Sequence, residues 1–291
     1  MPQRTKALDP PRSTDGVSDL ETDPRSGNTP PKVSAMRPWG SGDETWPSSA
    51  DQTTPRGARA SPSPQAISTS LAAGAGIETC EAAEGLGAIA RPDVELVIWR
   101  RSLPSRLQTW LERLDAALLP DLRLLVRPED LVRAMEPPLN DRGLPKGEMR
   151  ALLLCDVDDL VSAFARIART DLVDVRLQSV SGDACWKFHR DCVEARLLTT
   201  YRGPATEWVQ PRHAEAALNA QKRFKGPIER LGAHDVAIFK GSCAGPGSGI
   251  VHRSPPIAGT GRTRLLLCLN KPSAASPEPW PRGSEYDPPL P

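Results

Sequence analysis

The apolar positions of the chain change period near residue 172. Before that point they recur at helical spacing. Leu107, Trp110, Leu111, Leu114 and Leu118 follow Pro104, a residue tolerated in a first turn, and Pro120 ends the run. Arg127 to Met135 reads as a shorter helix, broken by Glu136-Pro137-Pro138. A third stripe, Val157, Leu160, Val161, Phe164 and Ile167, follows Asp156, whose carboxylate suits an N-cap. From Leu172 onwards the period falls to two: Val173, Val175 and Leu177 alternate with Asp174, Arg176 and Gln178, the pattern of a half-buried strand. Beyond the Ser181-Gly182-Asp183 turn, Trp186 to Asp191 and Arg196 to Tyr201 read as strands, with Gly203-Pro204 as a turn. Val236 to Phe239 and Arg264 to Leu269 read as the last two strands, and Arg212 to Lys222 as a helix.

The flanks carry little that could be buried. Proline recurs through residues 1–70, whose Ile, Leu and Val are limited to Leu8, Val17, Leu20, Val33 and Ile67. Such a stretch cannot offset the entropy of being ordered. With the Gly/Ala-rich stretch 71–93 it predicts a disordered region over 1–93, in which Trp39 and Trp46 have no assigned partner. The proline-rich stretch 272–291 is expected to be a second disordered tail. Between them, residues 94–171 are expected to form a helical subdomain and 172–271 a β-rich core. About eight short strands fit that core, and a double-sheet jelly roll is one eight-stranded solution. The predicted class is therefore α+β: a helical N-terminal part packed on a double-stranded β-helix, with disordered tails.

Charge and cysteine usage narrow the function classes. The formal net charge is +1, so no global field steers the chain to nucleic acid or an acidic membrane. No run of 18 apolar residues offers a membrane-spanning helix, and the first residues lack the apolar core of a secretory signal. A cytoplasmic location is expected. Cys80, Cys155, Cys185, Cys192, Cys243 and Cys268 are scattered, with no CxxC pair, which favours thiols over a disulfide framework and leaves a zinc ribbon unsupported.

The chemistry concentrates in His189-Arg190-Asp191. On a strand, alternation points His189 and Asp191 the same way, and a distant histidine, His252, can return to that face. Two imidazoles and one carboxylate occupy one side of a metal and leave other positions open, the arrangement of non-haem Fe(II) oxygenases. A 2-oxoglutarate cosubstrate needs a cation for its remote carboxylate, and arginine's planar fork suits that task. Arg262 and Arg264 follow His252 by ten and twelve residues. Arg264 is favoured because it opens an apolar strand, whereas the ten-residue spacing supports Arg262. Tyr201 is a candidate hydroxyl donor to the same carboxylate.

These residues carry a resemblance. His189-x-Asp191, followed by Arg196-Leu-Leu-Thr-Thr-Tyr201-Arg-Gly-Pro-Ala-Thr206-Glu-Trp208, resembles the prolyl-hydroxylase type of 2-oxoglutarate oxygenase. Gly249-Ile-Val-His252-Arg-Ser-Pro-Pro256 is similar to its later histidine segment. Phe188-His-x-Asp191, Leu197 to Trp208 and His252 to Pro256 also resemble an uncharacterised bacterial family, the DUF1826 type. That family implies a link to metal homeostasis and no reaction. Ala205 departs from the oxygenase pattern, where a second glycine is expected.

The expected function is that of an Fe(II)/2-oxoglutarate-dependent oxygenase acting on an unknown small molecule or protein. The alternative is a non-enzymatic Zn(II)-binding protein of metal homeostasis that adds Cys185 to some of the same ligands. A metal-free interaction module is a third reading. Hydrolysis by a Ser/His/Asp set lacks a G-x-S-x-G turn, and Gly245 to Gly249 lacks the Lys-Ser/Thr of a phosphate loop. That glycine stretch is expected to give flexibility at the mouth of the site. His213, His234 and the basic set Lys222, Arg223 and Lys225 are expected to face solvent.

Overall fold

The computed structural model describes residues 76–282. Residues 1–75, which hold Trp39 and Trp46, and residues 283–291 lie outside the described residues.

The strands β1 (Ile77–Cys80) and β2 (Leu96–Trp99) pair in parallel, joined by a 3-10 helix over Ala83–Ala90 that buries Leu86 and Ile89. Then follow α1 (Ser105–Arg113), β3 (Leu122–Val126), α2 (Leu131–Asp141) and the long helix α3 (Glu148–Ala168). The rest is mostly strand: β4 (Val173–Val180), β5 (Ala195–Arg202), β6 (Glu207–Trp208), then α4 (Ala214–Ala220), β7 (Glu229–Arg230), β8 (Val236–Lys240), β9 (His252–Arg253) and β10 (Arg264–Asn270). They form a seven-stranded sheet in the order β1-β2-β8-β5-β10-β4-β3 and a three-stranded sheet in the order β7-β6-β9. All pairings except β1 with β2 are antiparallel.

Alternation along the large sheet feeds two cores. Val175, Leu177, Leu197, Leu265, Leu267 and Leu269 join Leu111 of α1 and Val157, Val161 and Phe164 of α3 in one buried cluster. Their neighbours Leu198, Ala237, Phe239 and Cys268 turn the other way and meet Trp208, Leu231 and Ile250 from the small-sheet side. Each fully buried Leu or Phe contributes about 1.5–3 kcal/mol over its exposed state, so both faces are held in register. A large, mainly antiparallel sheet facing a small one is compatible with a jelly roll. The outer side of the small sheet is covered by α4, where Phe188, Val209, Ala217 and Val251 cluster.

Several expectations change. Residues 76–93 are ordered as β1 and its following turn of helix, because Leu86 and Ile89 join the helix-side core. The stretch 94–171 is not purely helical: β2 and β3 are edge-ward strands of the large sheet. Helix α2 runs through Pro137 and Pro138 instead of ending there, and the buried Arg150 holds the end of this helix by donating to the carbonyl of Glu136 and to Asn140 Oδ1. Asp156 is no N-cap. Helix α3 starts at Glu148 after Gly147, which takes a positive φ of 134°, and Leu153 and Leu154 add an earlier buried turn. Trp186 to Asp191 is not a full strand; only His189 pairs, as a bridge to His252. Part of the 272–291 tail is also anchored. The Trp280 N–H donates to the Leu125 carbonyl (2.7 Å), and its ring rests on the helix-side core. Among the described residues no helix is long and apolar enough to cross a membrane.

Candidate metal centre

The backbone around His189 is fixed on both sides. Gln221 acts as a substitute strand partner for Phe188, accepting from its N–H (2.8 Å) and donating to its carbonyl (2.9 Å). One residue on, His189 and His252 exchange both backbone hydrogen bonds at 3.0 Å. Phe188 thus points out to α4 and His189 points inward, which is the alternation the HxD spacing requires. The carbonyl of Asp191 accepts from Ser242 N (2.8 Å) and Ser242 Oγ (3.2 Å), which pins the third ligand to the end of β8.

The three side chains converge, their donor atoms within 4.8 Å of one another. His189 Nε2 lies 3.6 Å from Asp191 Oδ1, and His252 Nε2 lies 3.4 Å from Oδ2. Two ligand atoms around one ion, each about 2.0–2.2 Å from it, are separated by about 3.0–3.6 Å. The tautomers suit this use. His189 Nδ1 faces the Lys187 carbonyl (2.8 Å) and His252 Nδ1 faces the Ile250 carbonyl (3.0 Å). A carbonyl can only accept, so each Nδ1 carries a proton, which leaves each Nε2 as the nitrogen available to a metal at the centre. The His252 ring stacks on Phe239, centroids 4.9 Å apart, and is 4% exposed. His189 keeps 34% of its side chain exposed and marks the open side of the centre.

Burial and charge act differently on the three side chains. Burial pushes His252 down to about 4 despite the nearby Asp191 carboxylate, so its ring is neutral at pH 7. Burial opposes charge on His189 too, but contact with Asp191 and the Lys187 carbonyl outweighs it and raises its pKa. Asp191 is held below the ordinary carboxylate range: burial would raise it, but His252, His189 and Arg196 prevail. Arg196 Nη1 takes Asp191 Oδ1 at 2.5 Å, while its Nε is tied to Asn270 Oδ1 at 2.7 Å. Asp191 Oδ2 remains buried with no hydrogen-bond partner among the described residues. An orphaned carboxylate oxygen and two imidazole Nε2 atoms form a donor set that suits a divalent cation. The residues fit a divalent metal.

Arg264 is the second unusual charge. It is 1% exposed, and its donors go only to neutral oxygens: the Pro204 carbonyl (2.7 Å), Ser254 Oγ (2.6 Å) and Thr206 Oγ1 (3.5 Å). Burial lowers its pKa to about 10, which leaves it charged at pH 7. Among the described residues no carboxylate forms an ion pair with it; Glu207, the acid it feels, is held by Arg230 and Arg253. Ser254 stands two residues after His252, which links this cation to the histidine segment. Cys185 reports the same proximity, lying within electrostatic reach of Arg196, Asp191 and Arg264, and its carbonyl accepts from Ser254 N (2.9 Å).

The other candidates part company with this cluster. Arg262 is exposed in the loop before β10. Tyr201 corrects the expectation of a hydroxyl at the cosubstrate: it lies on the helix side of the large sheet, fully buried, and its hydroxyl donates to Asp156 (2.5 Å), which also pairs with Arg101. Tyr201 shares the parity of Leu197, whose side chain faces the helices, whereas Arg196 has the opposite parity. Cys185 is outside the three-residue cluster. The glycine stretch 245–249 is tethered, since Glu95 accepts from Ser248 Oγ (2.8 Å) and Gly249 N (2.9 Å). Lys222, Arg223 and Lys225 are exposed as expected, with the Lys222 ammonium over the Trp186 ring at 4.3 Å. Arg196, Ser254 and Thr206 were not anticipated; opposite charge on Asp191 and Arg196, and the two-residue step from His252 to Ser254, were the available signals.

Among curated proteins none matches the chain. Solved structures that resemble it include the dioxygenase for auxin oxidation 1 of Arabidopsis thaliana in a 2-oxoglutarate complex. The identity is 10%, the TM-score 0.41, and the match covers 70% of this chain and 95% of that one. A Pseudomonas putida prolyl-4-hydroxylase matches at 14% identity and a TM-score of 0.35, covering 66% of this chain and 99% of that one. Likeness at that level leaves the chemistry to be judged from the site itself. The family described as "Protein of unknown function (DUF1826)" matches residues 81–270, and the chain belongs to that family.

Proposed function

We propose that the protein is an Fe(II)- and 2-oxoglutarate-dependent oxygenase whose metal is held by His189, Asp191 and His252, and whose cosubstrate carboxylate is held by Arg264. One observation carries this reading. A buried carboxylate oxygen with no hydrogen-bond partner among the described residues lies beside two imidazole Nε2 atoms, and a buried guanidinium with no acidic partner among the described residues is joined to the same segment through Ser254.

When bound, iron with dioxygen and 2-oxoglutarate supplies the oxidising equivalent for hydroxylation, the cosubstrate losing carbon dioxide. This chain's residues supply the rest. Lys187 and Ile250 carbonyls hold the imidazole tautomers, and Arg196 and Ser242 aim the carboxylate. Arg264, with Ser254 and Thr206 hydroxyls beside it, orients a carboxylate by charge-assisted hydrogen bonds. The partly exposed edge of His189 is the side from which a substrate enters. The substrate is a small molecule or a protein side chain.

The test is an anaerobic titration of metal-free protein with Fe(II) and then 2-oxoglutarate, followed by visible charge-transfer absorption, with His252→Ala in parallel. A band that needs both additions and is absent from the variant is expected. Tight zinc binding that is lost in Cys185→Ala, with no band in the wild type, would sink the oxygenase reading in favour of metal handling.

A further inference from the structure

Two thiols outside the His189, Asp191 and His252 cluster meet beside the segment that carries Asp191. Cys192 follows the ligand Asp191, and Cys243 follows Ser242, the residue that holds the Asp191 carbonyl. Their Sγ atoms are 3.6 Å apart although the residues are 51 positions apart in sequence, and both residues are exposed. Neither fills a core, so packing does not account for the pairing.

The backbone brings the two segments together independently of the sulfurs. Gly241 N donates to the Glu194 carbonyl (3.1 Å), Ser242 N to the Asp191 carbonyl (2.8 Å) and Cys243 N to the Val193 carbonyl (3.2 Å). Gly241 permits this approach: a Cβ there would stand 2.2 Å from Val193 O and 2.6 Å from Asp191 O. The sulfurs have only to close from 3.6 Å to about 2.0 Å to bond. The other cysteines have no such sulfur contact among the described residues.

We propose that Cys192 and Cys243 form a reversible intramolecular disulfide, with low-molecular-weight disulfides as the oxidant, and that this bond clamps the segment presenting Asp191. One thiolate attacks the reagent disulfide and expels one reagent thiolate, leaving a mixed disulfide. The second protein thiolate attacks the protein sulfur of that mixed disulfide and expels the other reagent thiolate. Two protein S–H bonds are lost and one protein S–S bond forms. The reagent S–S bond breaks, and two reagent thiols carry away the protons and both electrons. Exposure of both thiols gives the reagent access. Cross-linking positions 192 and 243 restricts the unfolded chain over a long loop, so the oxidised form resists thermal unfolding.

The test incubates the full, reduced chain with oxidised glutathione, alkylates the remaining thiols and maps peptides without reduction. The expected result is a Cys192–Cys243 linked peptide that dithiothreitol reverses, and a melting midpoint raised by roughly 5–10 °C over the reduced form. In Cys192→Ser and Cys243→Ser the remaining thiol gives no such link, and no rise follows. Alkylation of both thiols after oxidation would overturn the proposal, as would a stable glutathione adduct at either one. A link to another cysteine, or an oxidised form that melts with the reduced one, would equally overturn it.

Discussion

The residues that matter most here are those with buried polar atoms or charges left unpaired among the described residues. The ten-residue spacing supported Arg262 and the apolar strand favoured Arg264, and burial separates them: Arg264 is enclosed among neutral oxygens and Arg262 is exposed. Arg264→Ala is expected to weaken 2-oxoglutarate binding to the Fe(II)-loaded protein by about 2–5 kcal/mol, roughly 30-fold or more. Arg262→Ala should shift it less than about twofold; calorimetric titration of both variants decides between them. His252 gives a pH prediction. Its folded pKa is depressed to about 4, so between about 6.5 and 4 the unfolded chain binds more protons than the folded one. Stability of the metal-free protein should therefore fall as pH drops through that window. The raised His189 acts at higher pH, where its contribution is lost as pH climbs through its folded value, and the depressed Asp191 acts below the window. Urea unfolding at about pH 6 and about pH 4.5, both inside that window, should show the loss, and His252→Gln should flatten it.

At the scale of elements, strand parity sorts roles that a linear motif runs together. Tyr201 and Arg196 lie in one eight-residue strand, yet one bonds Asp156 on the helix side and the other bonds Asp191. Tyr201→Phe should leave cosubstrate affinity unchanged and cost about 1–2 kcal/mol of stability through the lost bond to Asp156. Chemical denaturation alongside a cosubstrate titration separates those outcomes. Strand spacing made the His189 and Asp191 pair readable even though no regular strand contains them. A single bridge to His252 and the Gln221 side chain supply the extended geometry that a strand would have given. Periodicity failed in helices for a different reason. The Leu152-Leu153-Leu154 run has no helical or strand signature of its own, so the first turns of α3 were hidden, and a helix carrying two prolines survives because tertiary contacts from Arg150 secure its end.

For the whole molecule, the large sheet depends on a segment that composition assigned to a tail. Leu86 and Ile89 lie in the helix-side core, and β1 completes the edge next to β2. A chain starting at residue 94 should be less stable than one starting at residue 76 by several kcal/mol, since each buried leucine removed costs about 2–5 kcal/mol. Thermal melts of the two chains would measure it. The period change near residue 172, the HxD pair, the late histidine and the following arginines were all determined by the sequence, because local spacing dictates which side chains share a face. The tertiary structure alone decided which arginine is enclosed, that Arg196 takes one oxygen of Asp191 and leaves the other bare, and that Cys192 meets Cys243. Cys192 and Cys243 are 51 positions apart, Arg264 meets the Pro204 carbonyl from 60 positions away, and Arg196 reaches Asp191 across an irregular turn, so no local period encodes which partners the fold brings together.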